Sequence, residues 1–286
     1  MQLTVLGAGT PLPAAERFGS SYIVTVGDDN IMFDCGPATT HKMVKAGFSP
    51  TDIDNLFFTH HHFDHDVDYP CFLLSRWNLC TGKENDLRVF GPNYTERLTH
   101  RLMDEHEGAF AQDWIARMNH PLSVDFYVQR GGTLPRKGPE VEAKDVGPGK
   151  IFSGKDWEVT AAPAEHVQPW LDSLAYRLDS DEGSIVITGD TGPCDTVLDL
   201  AKGADTMVCM CIYIQGDIEG GPEEKTVCGS TAAAQLAQDA GVEKLVLVHQ
   251  AHWLDDQGQT ERALGDITSV YDGEVVWGRE IMKVAL

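Results

Sequence analysis

The feature that most constrains this chain is the run His60-His61-His62-Phe63-Asp64-His65, which follows directly on Ile53-Asp54-Asn55-Leu56-Phe57-Phe58-Thr59. The apolar stretch reads as a strand, so the polar burst falls at a strand's C-terminal end, where open α/β sheets carry their chemistry. His60, His62, Asp64 and His65 put four candidate ligands within six residues, so one loop can hold parts of two metal sites. Imidazole nitrogen and carboxylate oxygen suit borderline cations such as zinc, and a pair of sites needs about three further ligands. Later element ends offer them: His166, Asp190 after the run Ser184–Thr188, and His249 after Leu245–Val248, with His252 as the alternative to His249. Six of the 11 histidines lie in this loop or at an element end, which a merely polar loop does not explain. His61 is the one left over, and is expected to point to the other side of the loop.

Strand texture recurs at 2–6, 21–26, 30–34, 157–161, 173–178, 184–188, 206–214 and 244–248, and helical spacing at 38–47, near 197–201 and at about 230–240. The two halves share a βαβ rhythm, and the whole chain, 1–286, is expected to be one domain. Residues 66–150 differ: they are rich in aromatics and close on a Gly- and Pro-rich stretch at 131–139. They are expected to contain an insertion that acts as a lid. Phe110, Trp114, Phe126 and Tyr127, with Trp170 just after His166, are the candidate substrate contacts.

Charge narrows the partners. Lys and Arg number 22 against 44 Asp and Glu, a formal net charge of −22, and no run of basic residues interrupts it. Such a chain repels phosphate backbones and anionic lipid, which predicts a small-molecule substrate, no nucleic acid and no membrane, while a homodimer is compatible with it. The N-terminus lacks a cationic segment before its apolar stretch and no apolar run approaches the roughly 20 residues of a membrane span, so the expected location is cytoplasmic. Seven cysteines without Cys-x-x-Cys spacing read as reduced thiols.

Read in order, Leu6-Gly7-Ala8-Gly9-Thr10-Pro11, Phe33-Asp34-Cys35-Gly36-Pro37, Thr59–His65, Thr188-Gly189-Asp190-Thr191 and Leu247-Val248-His249 resemble the ordered motifs of the metallo-β-lactamase-fold hydrolases. The resemblance is to the branch of ribonuclease Z and the arylsulfatase-like enzymes and covers about 1–65 and 157–286. It implies an α/β fold (α+β by some schemes), a four-layer αββα sandwich with a dinuclear site at one edge. It also implies that His60, His62 and His166 hold one metal, that Asp64, His65 and His249 hold the other, and that Asp190 bridges. Two departures stand out. Ribonuclease Z enzymes continue the histidine motif with Gly-Leu-Pro-Gly, where this chain has Asp66-Val67-Asp68-Tyr69-Pro70. They also carry a histidine, tied to phosphodiester cleavage, where this chain has Gly229 before Ser230-Thr231.

The expected cofactor is a pair of divalent ions, zinc first, with manganese or iron as alternatives. Such a pair lowers the pKa of a bridging water and polarises the bond to be cleaved, and Asp64 and Asp190 are the carboxylates expected to serve catalysis. Glu165 and Asp66 are expected to support the ligands or remain solvated, and Asp34 to anchor the loop. The leading expectation is a hydrolase of a small apolar ester, aryl sulfate or lactone. The alternatives are a ribonuclease Z-like phosphodiesterase, a di-iron redox protein of the same fold, for which His62 stands where glutamate is usual, and a metal-binding protein without catalysis.

Overall fold

The computed structural model describes residues 1–82 and 86–286, so residues 83–85 of the 66–150 stretch lie outside the described residues. Two seven-stranded sheets are found among the described residues. The first is built from β1 (Gln2–Gly7), β2 (Ser21–Val26), β3 (Asp29–Phe33), β4 (Ile53–Phe57), β5 (Leu87–Gly91), β6 (Val141–Asp145) and β14 (Met282–Ala285), in the order β14-β1-β2-β3-β4-β5-β6. The second takes β7 (Gly149–Ser153), β8 (Trp157–Pro163), β9 (Leu174–Ser180), β10 (Gly183–Ile187), β11 (Thr206–Met210), β12 (Lys244–Val248) and β13 (Glu274–Trp277), in reverse chain order from β13 to β7. Strands β3 to β6 run parallel to one another, as do β10 to β13.

Period-two side-chain alternation explains the layering. In β4, Phe57 faces the other sheet and stacks on Phe33 and Phe90, while Leu56 faces outward with Phe58 against Met43, Tyr69 and Phe72. Those partners lie on α1 (Thr39–Ala46) and α3 (Tyr69–Leu79). Between the sheets, Leu3, Val5 and Val24 meet Val159, Tyr176, Leu178 and Ile185. On the far side, Cys209 and Leu247 are covered by Ala233, Leu236 and Ala237 of α9 (Ser230–Ala240), with α7 (Asp195–Ala201) beside it and α10 (Gln259–Thr268) completing the layer. The expected helix-sheet-sheet-helix order is present. The helix expected at 38–47 forms as α1 and stops at Gly47, whose φ of 97° is the left-handed cap.

The stretch 66–150 contributes more to the body of the fold than its texture suggests. Strands β5 and β6 extend the first sheet, and α3 and α4 (Thr95–Met103) pack beside it. Helix α5 (Ala111–Asn119) packs Ala111 and Trp114 into the same outer core, whereas α6 (Pro121–Gln129) has no buried residue. Its apolar residues Leu122 and Phe126 face solvent. No helix among the described residues is long and apolar enough to cross a membrane.

Candidate metal centre

Both sets of parallel strands end toward one edge, and the loops that leave them converge there. After β4 the chain passes Phe58 and Thr59 to the buried His60; His62 then opens the short α2 (Phe63–Asp66), which turns Asp64 and His65 inward. The approach is close: a side chain on Gly19 or Gly36 would collide with the backbone carbonyl of Asp64, which is why both positions are glycine. His166 comes from the β8–β9 connection, Asp190 from the end of β10 and His249 from the end of β12.

Two groups of ligand atoms result: His60, His62, His166 and Asp190, and Asp64, His65 and His249. In the first, His60 Nε2 lies 3.0 Å from His62 Nδ1, which lies 3.3 Å from His166 Nε2. In the second, His249 Nε2 lies 3.2 Å and His65 Nε2 3.6 Å from Asp64 Oδ2. Asp190 faces both: its Oδ2 is 3.8 Å from His166 Nε2 and 4.0 Å from His60 Nε2, and its Oδ1 is 3.4 Å from His65 Nε2.

Supporting contacts fix the ring orientations. His65 Nδ1–H donates to Asp34 Oδ2 at 2.8 Å and His166 Nδ1–H to the Thr226 carbonyl at 2.9 Å, so each ring turns Nε2 toward the centre. Asp34 is fixed in turn, because it accepts from the Thr59 amide and hydroxyl. It therefore anchors the loop, as expected. Asp34 and His249 both adopt left-handed φ values, 57° and 56°, a strain that sits beside the ligands.

The donor set fits a divalent cation. His65 Nε2 and Asp190 Oδ1 are buried and have no hydrogen-bond partner, although each points at the same space. Burial would raise the Asp190 pKa, but His249 and His65 outweigh it and hold the carboxyl well below its usual range. Burial would lower that of His65, but Asp190, Asp34 and Asp64 hold it well above the usual value, so the pocket favours positive charge there. Burial, with His65 behind it, pushes His60 well down and keeps it neutral, the form that binds metal.

The other candidates separate. His61 turns away, with Nε2 2.8 Å from the Thr95 hydroxyl and Nδ1 3.2 Å from Asp66, which occupies that carboxylate. His252 is exposed and packs on Trp253, outside both groups. Glu165 is exposed. Trp114 is corrected: at 5% exposure it belongs to the outer core with Trp77 and Phe72, because α5 packs its apolar face there. Tyr127 lines a cavity bounded by the start of β5 and β6, and Phe126 a smaller one that shares Tyr127 and Arg136 with it, so they do not roof the metal centre. Phe110 is partly exposed at the start of α5, and Trp170, four residues after His166 in the chain, is 90% exposed. Sequence reasoning missed Arg17 and Glu280. Arg17 is buried and bonds Gln250, next to His249, together with Asp255, while Glu280 accepts from the amides of Ala8 and Phe18. Together they pin the 8–18 loop at the site; the signal available was a lone arginine close after Gly7-Ala8-Gly9.

Comparison with known proteins agrees with this geometry. A family model described as Anti-Pycsar protein Apyc1 matches residues 1–68. Ribonuclease Z of Mycobacterium sp. (strain KMS) is 31% identical over 255 residues, spanning 87% of this chain and 84% of that protein. Among solved structures, the metallo-β-lactamase-fold protein YhfI from Bacillus subtilis superposes with a TM-score of 0.71 at 19% identity, covering 99% of this chain and 98% of that one. Human tRNase Z, short form, superposes with a TM-score of 0.67 at 17% identity, covering 100% and 99%. Fold and site define a metal-dependent hydrolase of the metallo-β-lactamase fold, a class that uses divalent metals. Within that class, the chain belongs to the ribonuclease Z family.

Family membership overturns the expectation of a small-molecule substrate and no nucleic acid, since the relatives are named for cleaving RNA. The physical error lay in reading a summed charge of −22 as a local field. Potential at a cleft depends on the groups that line it, bound cations included, and not on the total.

Proposed function

We propose that the chain is a two-metal phosphodiesterase of the ribonuclease Z kind, with an RNA phosphodiester as substrate and zinc as the preferred ion. The observation that carries this is Asp190, one carboxylate that reaches both ligand groups: its Oδ2 lies 3.8 Å from His166 Nε2 and 3.2 Å from His249 Nε2, and its Oδ1 lies 3.4 Å from His65 Nε2. When bound, two divalent cations supply Lewis-acid charge for the phosphoryl oxygens and bring a coordinated water toward a neutral pKa. His60, His62 and His166 would hold one ion, Asp64, His65 and His249 the other, and Asp190 would span them. Asp34 and the Thr226 carbonyl keep the imidazoles aimed before substrate arrives, so little reorganisation is needed at the reacting centre.

One feature of this chain departs from the family pattern at the start of α9. Gly229 opens α9 where the family has histidine, and a side chain there would meet the Gln215 carboxamide. No imidazole is therefore available at that position to protonate a leaving oxygen. The ester reading is the weaker one, because it rested on an aromatic wall over the entrance, and Trp114, Phe126 and Tyr127 lie elsewhere. Zinc-loaded protein should cleave a precursor tRNA with a 3′ trailer and bis(p-nitrophenyl) phosphate in preference to p-nitrophenyl acetate. Turnover of the ester alone would reverse the assignment.

A further inference from the structure

Two adjoining cavities lie at the opposite end of the first sheet from the metal centre. The larger, ≈ 450 Å³, is bounded by Leu87 and Val141, the first residues of β5 and β6, and the smaller, ≈ 200 Å³, shares Tyr127 and Arg136 with it. The metal ligands follow the far ends of the parallel strands, so a strand's length, roughly 15–20 Å, separates the two places.

Arg136 stands in the wall common to both cavities and is only 8% exposed. Its guanidinium lies 3.8 Å from the Trp77 ring centre and 4.7 Å from that of Tyr127. Its hydrogen bond is a long one, Nη2–H donating to Asn78 Oδ1 at 3.4 Å, and no carboxylate pairs with it among the described residues. A guanidinium withdrawn from water without a counter-ion is costly, and its neighbours add to the cost. Arg117 and Arg130 line the smaller cavity with Asn78, Ser123 and Phe126, and no carboxylate lines it among the described residues. Arg117 is tied to Asp113 at 2.9 Å, while Arg130 makes no ion pair among the described residues. Burial lowers the pKa of Arg136 first, and the charges of Arg117 and Arg130 act in the same direction. In a chain with twice as many acidic as basic residues, Arg136 and Arg130, which pair with no carboxylate among the described residues, with Arg117 beside them, form a prepared anion site.

We propose that this pocket binds the phosphate of a nucleotide, free or at the end of an RNA chain, with Arg117, Arg130 and Arg136 on the phosphate oxygens and the exposed Phe126 ring against the base. The planar guanidinium fork matches phosphate geometry, and an aromatic face accepts any base. The larger cavity, ≈ 450 Å³, falls within the size range of small-ligand sites, about 300–1,000 Å³, and the smaller, ≈ 200 Å³, adjoins it. The proposal stands apart from the reading of the metal centre.

The test is calorimetric titration of metal-loaded protein with AMP, adenosine and a 5′-phosphorylated 12-nucleotide RNA, comparing wild type with Arg130→Gln and Arg136→Gln. AMP should bind wild type, adenosine should bind at least about tenfold more weakly, and Arg130→Gln should weaken AMP about tenfold, because a charge-assisted contact is lost. Hydrolysis of bis(p-nitrophenyl) phosphate should be unchanged in Arg130→Gln. Tighter binding of AMP than of the RNA identifies a free nucleotide as the ligand, and the reverse order identifies an RNA end. Should Arg136→Gln fail to fold, Arg130→Gln, at a surface position, carries the test alone. Absence of AMP binding, or equal affinity in wild type and Arg130→Gln, overturns the proposal, and either result is readable whether or not the protein is a phosphodiesterase.

Discussion

Asp34 Oδ2 and His65 Nδ1 lie 2.8 Å apart with both side chains buried, and the carboxylate also takes the amide and hydroxyl of Thr59. One acid thus fixes the orientation of a ligand and the start of the loop that carries four of the ligands. Asp34→Asn keeps the volume but replaces an anion facing His65 with a neutral amide. It should lower metal affinity by about 10- to 100-fold, the usual cost of losing such a support. Competition against a chelator of known affinity measures this, and an unchanged constant would remove Asp34 from the site's design.

The ligand sharing predicts an order of severity. Asp190 faces both groups whereas His65 belongs to one, so Asp190→Ala should cost more activity and more bound metal than His65→Ala. His249→Ala should likewise lose metal while His252→Ala does not. Elemental analysis of the four purified variants reads this directly, and equal small losses for Asp190→Ala and His65→Ala would argue against a bridging role.

Trp114 is a packing residue. It lies against Gly138 within the outer core, so Trp114→Ala should destabilise the fold by about 3–5 kcal/mol, the range for deleting a large buried aromatic. Chemical denaturation measures the loss. A raised KM with unaltered stability would instead return this residue to the substrate.

Gly229 leaves the start of α9 without an imidazole, and a positioned general acid is worth roughly 10²- to 10⁴-fold. The rate of phosphodiester cleavage should therefore fall steeply as the leaving group becomes more basic. Gly229→His combined with Gln215→Ala, which removes the nearest atom on that glycine and leaves the backbone of residue 215, 3.0 Å away, to give by a few tenths of an ångström, should flatten the dependence across a series of aryl phosphodiesters. A flat dependence in the unmodified protein would point to a proton donor elsewhere.

What the sequence determined by itself was the local pattern. Alternation in Leu56-Phe57-Phe58 set a strand buried on both faces, and the spacing of His60, His62, Asp64 and His65 after it announced metal chemistry at that strand's end. Asp190 and His249 were legible for the same reason, because each directly follows an apolar run. Spacing and periodicity are properties of neighbouring residues, so they survive without the fold. The tertiary structure decided what depends on distant segments meeting. It turned His61 toward Thr95, chose His249 over His252, joined Arg17 to Gln250 across 233 residues, and buried Trp114. It also gathered Arg117, Arg130 and Arg136 around one small cavity with no carboxylate among its described lining residues, in a chain whose formal charge is −22. Net charge is a sum over the chain, whereas the field that a ligand meets depends on which side chains lie within a few ångströms, and only folding sets those distances.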